Sequence, residues 1–420
     1  MIIVFVFYTN IPLYLNKITD SYIAGSLNLL LLGLIVPFVL LRIRDAFGFL
    51  STELAWWGIF VTAMYGLNVW RATHGDIVLL DDEMIDEVNR LQRQALMLGI
   101  MVVVYLSDPK VFYRCILLIA PVIPITIIVS FFAPELLGLE IENSGRAAGL
   151  YKNPNLAAEA LVVTVLLSHM RIGRFWQLLY FTLVGVAVIL TFSRSGIAAW
   201  ILMGMYLMYR RELSRKFLLV PIVVALTYST LILKAEGLLF DAMDGNQSRV
   251  ANMINRLSFF AELGTEGAAD DSSSESRLNV AAETLGAVMQ QPLTGNVVGP
   301  RAEYGIEAHN LPLEYWYTFG IMGLIAWLWM CWILFKSGVR NGLGFANPYL
   351  MIFLWLSMFN HQQFTQIFWW VFFAIIATSK LDIAARKKRP VSDAAGKVKK
   401  RRKRRRSSRS AQGGKVSQSW

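Results

Sequence analysis

The chain has 420 residues, of which 55% are hydrophobic and only 16% charged, and its mean hydropathy is +0.48. Soluble globular domains carry about 25% charged residues, so this composition argues against a soluble domain. The net charge of +11 lies in the segment from Arg386 to the end, which has fifteen basic residues and one acid. The rest of the chain has 25 basic and 28 acidic residues. It therefore lacks the excess of basic residues that is typical of nucleic-acid binding.

Apolar runs close to the length of a membrane-spanning helix recur along the chain. We predict an all-α, polytopic membrane protein of about twelve transmembrane helices, at 1–15, 20–41, 49–70, 93–107, 112–134, 155–170, 175–192, 195–209, 217–234, 311–335, 347–361 and 363–380. The first run lacks a basic n-region and a small-residue cleavage site, so we interpret it as a span and not as a signal peptide. Cys115 and Cys331 fall inside apolar runs, a placement that favours buried thiols over a disulfide or zinc framework.

Basic residues in the short loops set the predicted orientation, because cytoplasmic loops are enriched in Lys and Arg. With twelve spans, the loops on one side carry Arg42, Arg44, Lys110, Arg114, Arg171, Arg174, Arg210, Arg211, Arg215, Lys216, Lys336 and Arg340. We therefore expect both termini in the cytoplasm. The basic tail directly follows an apolar span, which favours anionic lipid over nucleic acid as its partner.

The spans divide the chain into four regions. These are helices 1–9 in 1–234, a large extracytoplasmic loop at 235–308, helices 10–12 in 309–385 and the cytoplasmic tail at 386–420. Long loops of this kind are often functional, and helical patterns flank the Gly- and Ser-rich stretch within this one. Another outer stretch, 79–92, mixes apolar residues with acids and predicts an amphipathic helix at the outer interface.

Several arginines lie on the predicted outer side, where loop charge does not explain them. Arg194 stands in TFSRSG, a very short connection between two spans, and an ionisable residue at membrane depth is a functional candidate. Arg146 and Arg277 are further candidates on the same side. Guanidinium groups offer planar, bidentate donors that match phosphate, so these arginines indicate an anionic substrate such as a lipid-linked pyrophosphate.

Two outer-side histidines are candidates for proton transfer. His309 lies in EAHNLPLEYWYTFG, where the large loop re-enters the membrane, and a neutral imidazole there can accept a proton from a hydroxyl. His361 lies in FNHQQ at the outer end of a span. It is predicted either to support catalysis or to make a structural hydrogen bond.

Metal binding is the competing use of the outer loops. Their candidate oxygen ligands are Asp241, Asp244, Asp270 and Asp271. Neither an Asp-x-Asp motif nor a histidine-rich cluster accompanies them, so solvated loop carboxylates are the favoured interpretation. We expect no metal site and no cofactor.

Four short motifs occur in order on the predicted outer face. They are R-x-x-G with N-P-N (Arg146, Gly149, Asn153, Pro154, Asn155), SRSG (Ser193–Gly196), S-R with a following helix and a P-x-x-G turn (Ser276, Arg277, Pro292, Gly295), and H-N-x-x-L before FGIMG (His309, Asn310, Leu313). This set resembles the O-antigen ligase and O-antigen polymerase superfamily of glycosyltransferases. The motifs cover roughly 140–325, and the rest of the chain is similar in topology only.

The resemblance implies an enzyme with a GT-C-like helical membrane fold in the bacterial inner membrane. Such enzymes take a glycan from undecaprenyl pyrophosphate at the periplasmic face, and the ligases pass it to the lipid A core. The predicted partners are therefore this lipid-linked donor, a lipid A-core acceptor and membrane lipids, without nucleic acid. The twelve-span count agrees with a ligase.

With that substrate, the candidate residues take roles in a metal-independent, inverting transfer. His309 is the predicted base for the acceptor hydroxyl, and Arg194 and Arg277, with Arg146 as a further candidate, are predicted to bind the pyrophosphate leaving group. The predicted supporting residues are Asn155, Ser193, Asn310 and His361.

Other functions stay open at this point. Polymerases of the same superfamily pass the glycan to another lipid-linked repeat, and close relatives pass it to protein serines or threonines. A polysaccharide or lipid exporter is the alternative of a different class, but paired repeats or broken helices are expected in both of its halves, and the sequence shows neither. A structural or receptor protein would not need a histidine and arginines on one face.

Overall fold

The computed structural model describes residues 5–6, 8–12, 14–15, 23–74, 81–137, 146–151, 153–168, 172, 174–210, 213, 272–296, 309–343 and 347–378. Within these ranges the regular structure is helical, without a strand. The α-helices are α1 Ile23–Leu41, α2 Ile43–Leu50, α3 Glu53–His74, α4 Asp81–Leu106, α5 Pro109–Phe132, α6 Pro154–Ser168, α7 Arg174–Leu190, α8 Arg194–Tyr209, α9 Ser272–Gln290, α10 Leu311–Phe319, α11 Ile321–Arg340, α12 Pro348–Ser357 and α13 Ile367–Thr378. Short 3-10 turns occupy Pro134–Leu137 and Gln363–Thr365.

Described helices coincide with ten of the predicted spans. The span at 1–15 is described only in part, and the span at 217–234 lies outside the described residues. Two helical segments, Arg114–Phe132 and Ile321–Arg340, are long and apolar enough to cross a membrane, and α2 with α3, bent by 85°, is a third candidate. Shorter apolar helices of 10–17 residues accompany them. The chain is thus a helical membrane protein in character, and the count of twelve spans stays a prediction.

Helix α6 forms the centre of the packed core. Every residue from Leu156 to Ser168 is buried, as expected of a helix that is apolar on all sides. It packs against α5, α7, α8, α12 and α13. The N-P-N motif opens this helix, so the motif is attached to the most enclosed element among the described residues.

Helix α4 differs from the prediction for its first half. The stretch 79–92 was expected as a separate interfacial helix, but from Asp81 it is continuous with the following span as one helix of 26 residues. The physical reason is the burial of Glu87, which is 3% exposed. Its carboxylate accepts hydrogen bonds from Arg90 at 2.7 Å and from Asn68 of α3 at 3.4 Å. This pairing attaches the acidic stretch to α3.

The predicted span 311–335 is broken into two helices. α10 ends and α11 begins at Gly320, where the backbone has φ +62°. The turn that follows α9 (residues 291–296, the 291–296 turn) fills the break. Leu293 accepts a hydrogen bond from the Ile321 amide at 3.3 Å, and the Asn296 amide donates to the Tyr317 carbonyl at 2.9 Å.

Two glycines make this close approach possible. Gly295, in the 291–296 turn, also has a left-handed backbone, with φ +69°. A Cβ atom at Gly295 would overlap the Gly320 amide nitrogen, and one at Gly320 would overlap the Leu293 carbonyl. The 291–296 turn is therefore held against the start of α11 by direct backbone contact.

We expect Gly320→Ala to lower the melting temperature of the purified protein much more than Gly342→Ala. Both positions have a left-handed backbone, and an alanine there costs about 1–2 kcal/mol. Gly342 has φ +70° with no atom within 4 Å of an added Cβ, so it reports the backbone cost alone. Equal melting temperatures for the two variants would contradict a rigid contact between the 291–296 turn and α11.

Candidate functional site

Three of the motifs mark the first residues of helices. The Asn153 side chain accepts hydrogen bonds from the amides of Asn155 (2.8 Å) and Leu156 (3.2 Å) at the start of α6. Ser193 caps α8 by accepting from the Gly196 amide at 3.3 Å, and Asn310 caps α10 in the same way. Ser, Asn and Asp are the preferred capping residues. Part of each motif is therefore explained by helix initiation.

Strained residues directly precede two of these caps. Phe192, before Ser193, has φ +49°, and His309, before Asn310, has φ +51°. Such left-handed conformations are unfavourable for residues with a Cβ atom and cluster at functional sites, where the surrounding packing enforces them. The cap hydrogen bond of Asn310, which accepts from the Leu313 amide at 3.1 Å, helps to fix the backbone that carries His309.

Arg146 connects the first motif to the residues that directly precede the SRSG motif. Its Nε donates to the Thr191 carbonyl at 3.0 Å, and its Nη2 donates to Asn155 Oδ1 at 2.7 Å. The next amide in the chain, that of Ala147, donates to the Leu190 carbonyl at 3.1 Å. The guanidinium thus links the end of α7 to the start of α6, a structural role that its residue type alone did not predict.

Arg194 occupies the first position of α8 and is half-buried. The neighbouring Gly196 packs directly on α6, where an added Cβ would overlap the side chain of Ala158. The SRSG motif therefore places its arginine at a helix start that is pressed against α6. An anion near this position benefits from both the guanidinium and the positive end of the helix dipole.

The residues Trp355–His361, which end α12 and enter the following turn, connect to the H-N motif. We call them the 355–361 segment. The rings of His309 and His361 lie with their centroids 5.7 Å apart. Beside them, Asn310 Nδ2 donates to Met358 Sδ at 3.9 Å. Both predicted histidines are half-buried, so the structure brings the predicted base next to the predicted supporting histidine.

The same segment also reaches the start of α8 and the second turn of α6. Trp355 Nε1 donates to the Ser195 carbonyl in SRSG at 3.0 Å. Asn360 Nδ2 donates to Glu159 Oε1, one turn beyond the N-P-N motif, at 2.5 Å. The sequence predicted no role for Trp355, Asn360 or Glu159. Of these three residues, only Glu159 has a signal in the sequence, because it is a glutamate inside an apolar run.

For the third motif, the structure describes the helix that contains it. Ser276 and Arg277 lie in α9, but their side chains are outside the described part of the structure. Further along α9, Val280, Thr284 and Val288 are buried along one face, and the helix packs against α10. The turn predicted after this motif is present, but the helix already begins at Ser272 and contains the motif. The role of Arg277 stays a prediction.

Arg71 is a further residue for which the sequence predicted no role. It lies in the last turn of α3, and its guanidinium donates to the carbonyls of Thr294 (2.7 Å) and Gly295 (3.3 Å). Trp316 adds a hydrogen bond to the Pro292 carbonyl at 3.0 Å. These contacts fasten the 291–296 turn to α3 and α10.

Among the described residues, no group of three or more His, Cys, Asp or Glu side chains is arranged to hold a metal ion. Asp241, Asp244, Asp270 and Asp271 lie outside the described residues. The metal-free site therefore remains a prediction about the whole chain.

The long apolar helices are consistent with a membrane protein, and comparison with known families adds its class. Residues 179–328 match the family model described as O-antigen ligase, whose members are glycosyltransferase-like enzymes. The match spans about a third of the chain and contains the SRSG, S-R and H-N motifs. It confirms the resemblance to the O-antigen ligase and polymerase superfamily. No curated protein matches the chain.

Proposed function

We propose that this protein is an O-antigen ligase. It transfers a glycan from undecaprenyl pyrophosphate to the lipid A-core oligosaccharide at the periplasmic face of the bacterial inner membrane. The reaction inverts the anomeric centre and requires neither a metal ion nor a cofactor. Both termini of the chain lie in the cytoplasm.

One observation carries this proposal beyond the family match. The SRSG and H-N motifs, which lie more than 110 residues apart in the chain, both contact the 355–361 segment, and this segment lies outside the matched range. An arginine at a helix start and two adjacent histidines are then attached to one element. That combination fits a reaction with an anionic leaving group and a hydroxyl acceptor.

The arginines stabilise the leaving group. As the bond between the anomeric carbon and the pyrophosphate oxygen breaks, its electron pair and the negative charge go to the pyrophosphate. Donors that already point at that charge lower the barrier without reorganisation. We assign Arg194 and Arg277 to the pyrophosphate. Arg146 is a further candidate, and its contacts with Thr191 and Asn155 also hold the neighbouring helix starts.

His309 removes the proton from the acceptor. Its imidazole takes the hydroxyl proton while the acceptor oxygen forms a bond to the anomeric carbon on the side opposite the pyrophosphate. The tilted contact with the His361 ring, at 5.7 Å between ring centroids, and the strained backbone of His309 support a fixed ring orientation. Asn310 and Ser193 support the reaction as helix caps, and Asn155 supports it through Arg146.

The purified wild-type protein is expected to transfer glycan from an undecaprenyl-pyrophosphate-linked donor to lipid A-core, and to do so in a strong metal chelator. The assay also offers a second lipid-linked repeat and a serine-containing peptide as acceptors. Transfer only to the repeat would identify a polymerase, and transfer only to the peptide a protein glycosyltransferase. Loss of activity in chelator that one cation restores would overturn the metal-free mechanism. Absence of any transfer would favour an exporter.

Arg194→Lys is expected to impair transfer nearly as much as Arg194→Ala, with losses of about 10²–10³-fold in kcat. Lysine keeps the positive charge but lacks the planar, two-pronged donor geometry of arginine. The exposed Arg44 provides the control, and we expect Arg44→Lys to have the kcat of the wild type. Wild-type kcat in Arg194→Lys would show that Arg194 contributes only its positive charge and no specific hydrogen-bond geometry.

His309→Ala is expected to lower kcat by about 10²–10⁴-fold, the usual effect of removing a general base, while donor affinity is retained. His309→Gln separates chemistry from architecture, because glutamine still forms hydrogen bonds but does not accept the proton. We expect His309→Gln to be as inactive as His309→Ala, with both variants keeping donor affinity. An active glutamine variant would transfer the role of base to another group, with His361 the first to test.

A further inference from the structure

Glu159 is a buried carboxylic side chain in the middle of the packed core. It is 2% exposed and is flanked along α6 by buried alanine, leucine and valine residues. Its Oε2 accepts a hydrogen bond from Trp369 Nε1 at 2.8 Å, and its Oε1 accepts from Asn360 Nδ2 at 2.5 Å. Burial of an ionisable group is costly, and in a membrane protein such a residue is a functional candidate by default.

The position of Glu159 relates it to the first motif. It follows Asn155 by four residues in α6, so the two side chains lie on the same face of the helix, one turn apart. Asn155 accepts the hydrogen bond from Arg146. One helical turn of α6 therefore carries Asn155, which binds Arg146, at its N-terminal end and the buried Glu159 carboxyl at its C-terminal end.

The partner of Glu159 relates it to the histidines. Asn360 is 5% exposed and directly precedes His361. Its Nδ2 is bound to Glu159, while its Oδ1 accepts from the Gln362 amide at 3.3 Å. Both polar atoms of the Asn360 side chain are thus hydrogen-bonded. Because Asn360 and Gln362 flank His361 in the chain, these hydrogen bonds restrain the backbone on each side of His361. His361 in turn lies against His309.

We propose that Glu159 is a positioning residue for glycan transfer. Through Asn360 it holds His361 against His309 and so sets the orientation of the base relative to the leaving-group arginines. This inference rests on the proposed function. Glu159 does not touch the substrate, because it is enclosed within the core. Misplacement of a reacting group by about 1 Å can cost roughly 10²-fold in rate, so the loss of such a support is measurable.

Glu159→Gln tests this role with almost no change in volume. The carboxyl group accepts from two donors, whereas an amide has one acceptor oxygen and an NH2 group that must face the other donor. Asn360→Ala is the second variant, because it cuts the link to His361 and leaves the hydrogen bond of Trp369 in place. We expect each variant to lower kcat by about 10- to 100-fold, with the Kd for the lipid-linked donor within about twofold of wild type.

Thr164→Val is the matched structural control. Thr164 lies further along α6, is fully buried, and its hydroxyl shares a 2.9 Å hydrogen bond with Tyr8. It has the same kind of buried polar contact but no connection to the 355–361 segment among the described contacts. We expect Thr164→Val to lower the melting temperature as Glu159→Gln does, while kcat of the folded enzyme stays at the wild-type value. An equal fall of kcat in Thr164→Val would overturn the positioning role.

A double-mutant cycle identifies the route of the effect. If Glu159 acts through His361, then Glu159→Gln in the His361→Ala background lowers kcat no further than His361→Ala alone. Independent, multiplicative losses would overturn the inference, as would wild-type kcat in both Glu159→Gln and Asn360→Ala. These results leave the proposed function intact if the wild-type protein transfers glycan. Absence of wild-type transfer would overturn the proposed function and this inference together.

Discussion

The attachment of the 355–361 segment to the starts of α8 and α10 and to the second turn of α6 is the constraint on which the candidate site depends. Its side chains reach α8 through Trp355, α10 through Met358 and α6 through Asn360. Buried polar groups must find hydrogen-bond partners, and a shift of this segment would break these three hydrogen bonds together. The Glu159 carboxyl would keep its hydrogen bond from Trp369 but lose the one from Asn360. The combined loss of these contacts fixes the relative positions of elements that are far apart in the chain.

The motif residues divide into those that build helices and those left for chemistry. Asn153, Ser193 and Asn310 are helix caps, and Gly196 permits close packing on α6. These requirements are local and physical, and they hold for any protein that begins helices in this way. These requirements do not account for the candidate functional side chains, chiefly Arg194 and the two histidines. A site built on rigid helix starts keeps such groups preoriented.

The 291–296 turn couples α9 to α3, α10 and α11. The 291–296 turn is bound by Arg71 of α3 and inserts into the break between α10 and α11. Since α9, which carries Arg277, leads directly into this turn, the position of the third motif relative to α10 depends on that contact. Glycines at both surfaces of the contact are required because side chains there would overlap backbone atoms.

The sequence by itself determined the helical class, the approximate helix positions, the candidate arginines and histidines, and the family resemblance, because periodicity, caps and motifs are set within a few residues. It did not separate an interfacial helix from the continuous α4, since the same amphipathic pattern suits lipid headgroups and a protein partner. It also missed the break at Gly320 and the partners of Glu159. Those features depend on contacts such as Glu159–Asn360, which join residues 201 positions apart. Only the tertiary structure decided them, because local pattern carries no information on which distant group satisfies a buried one.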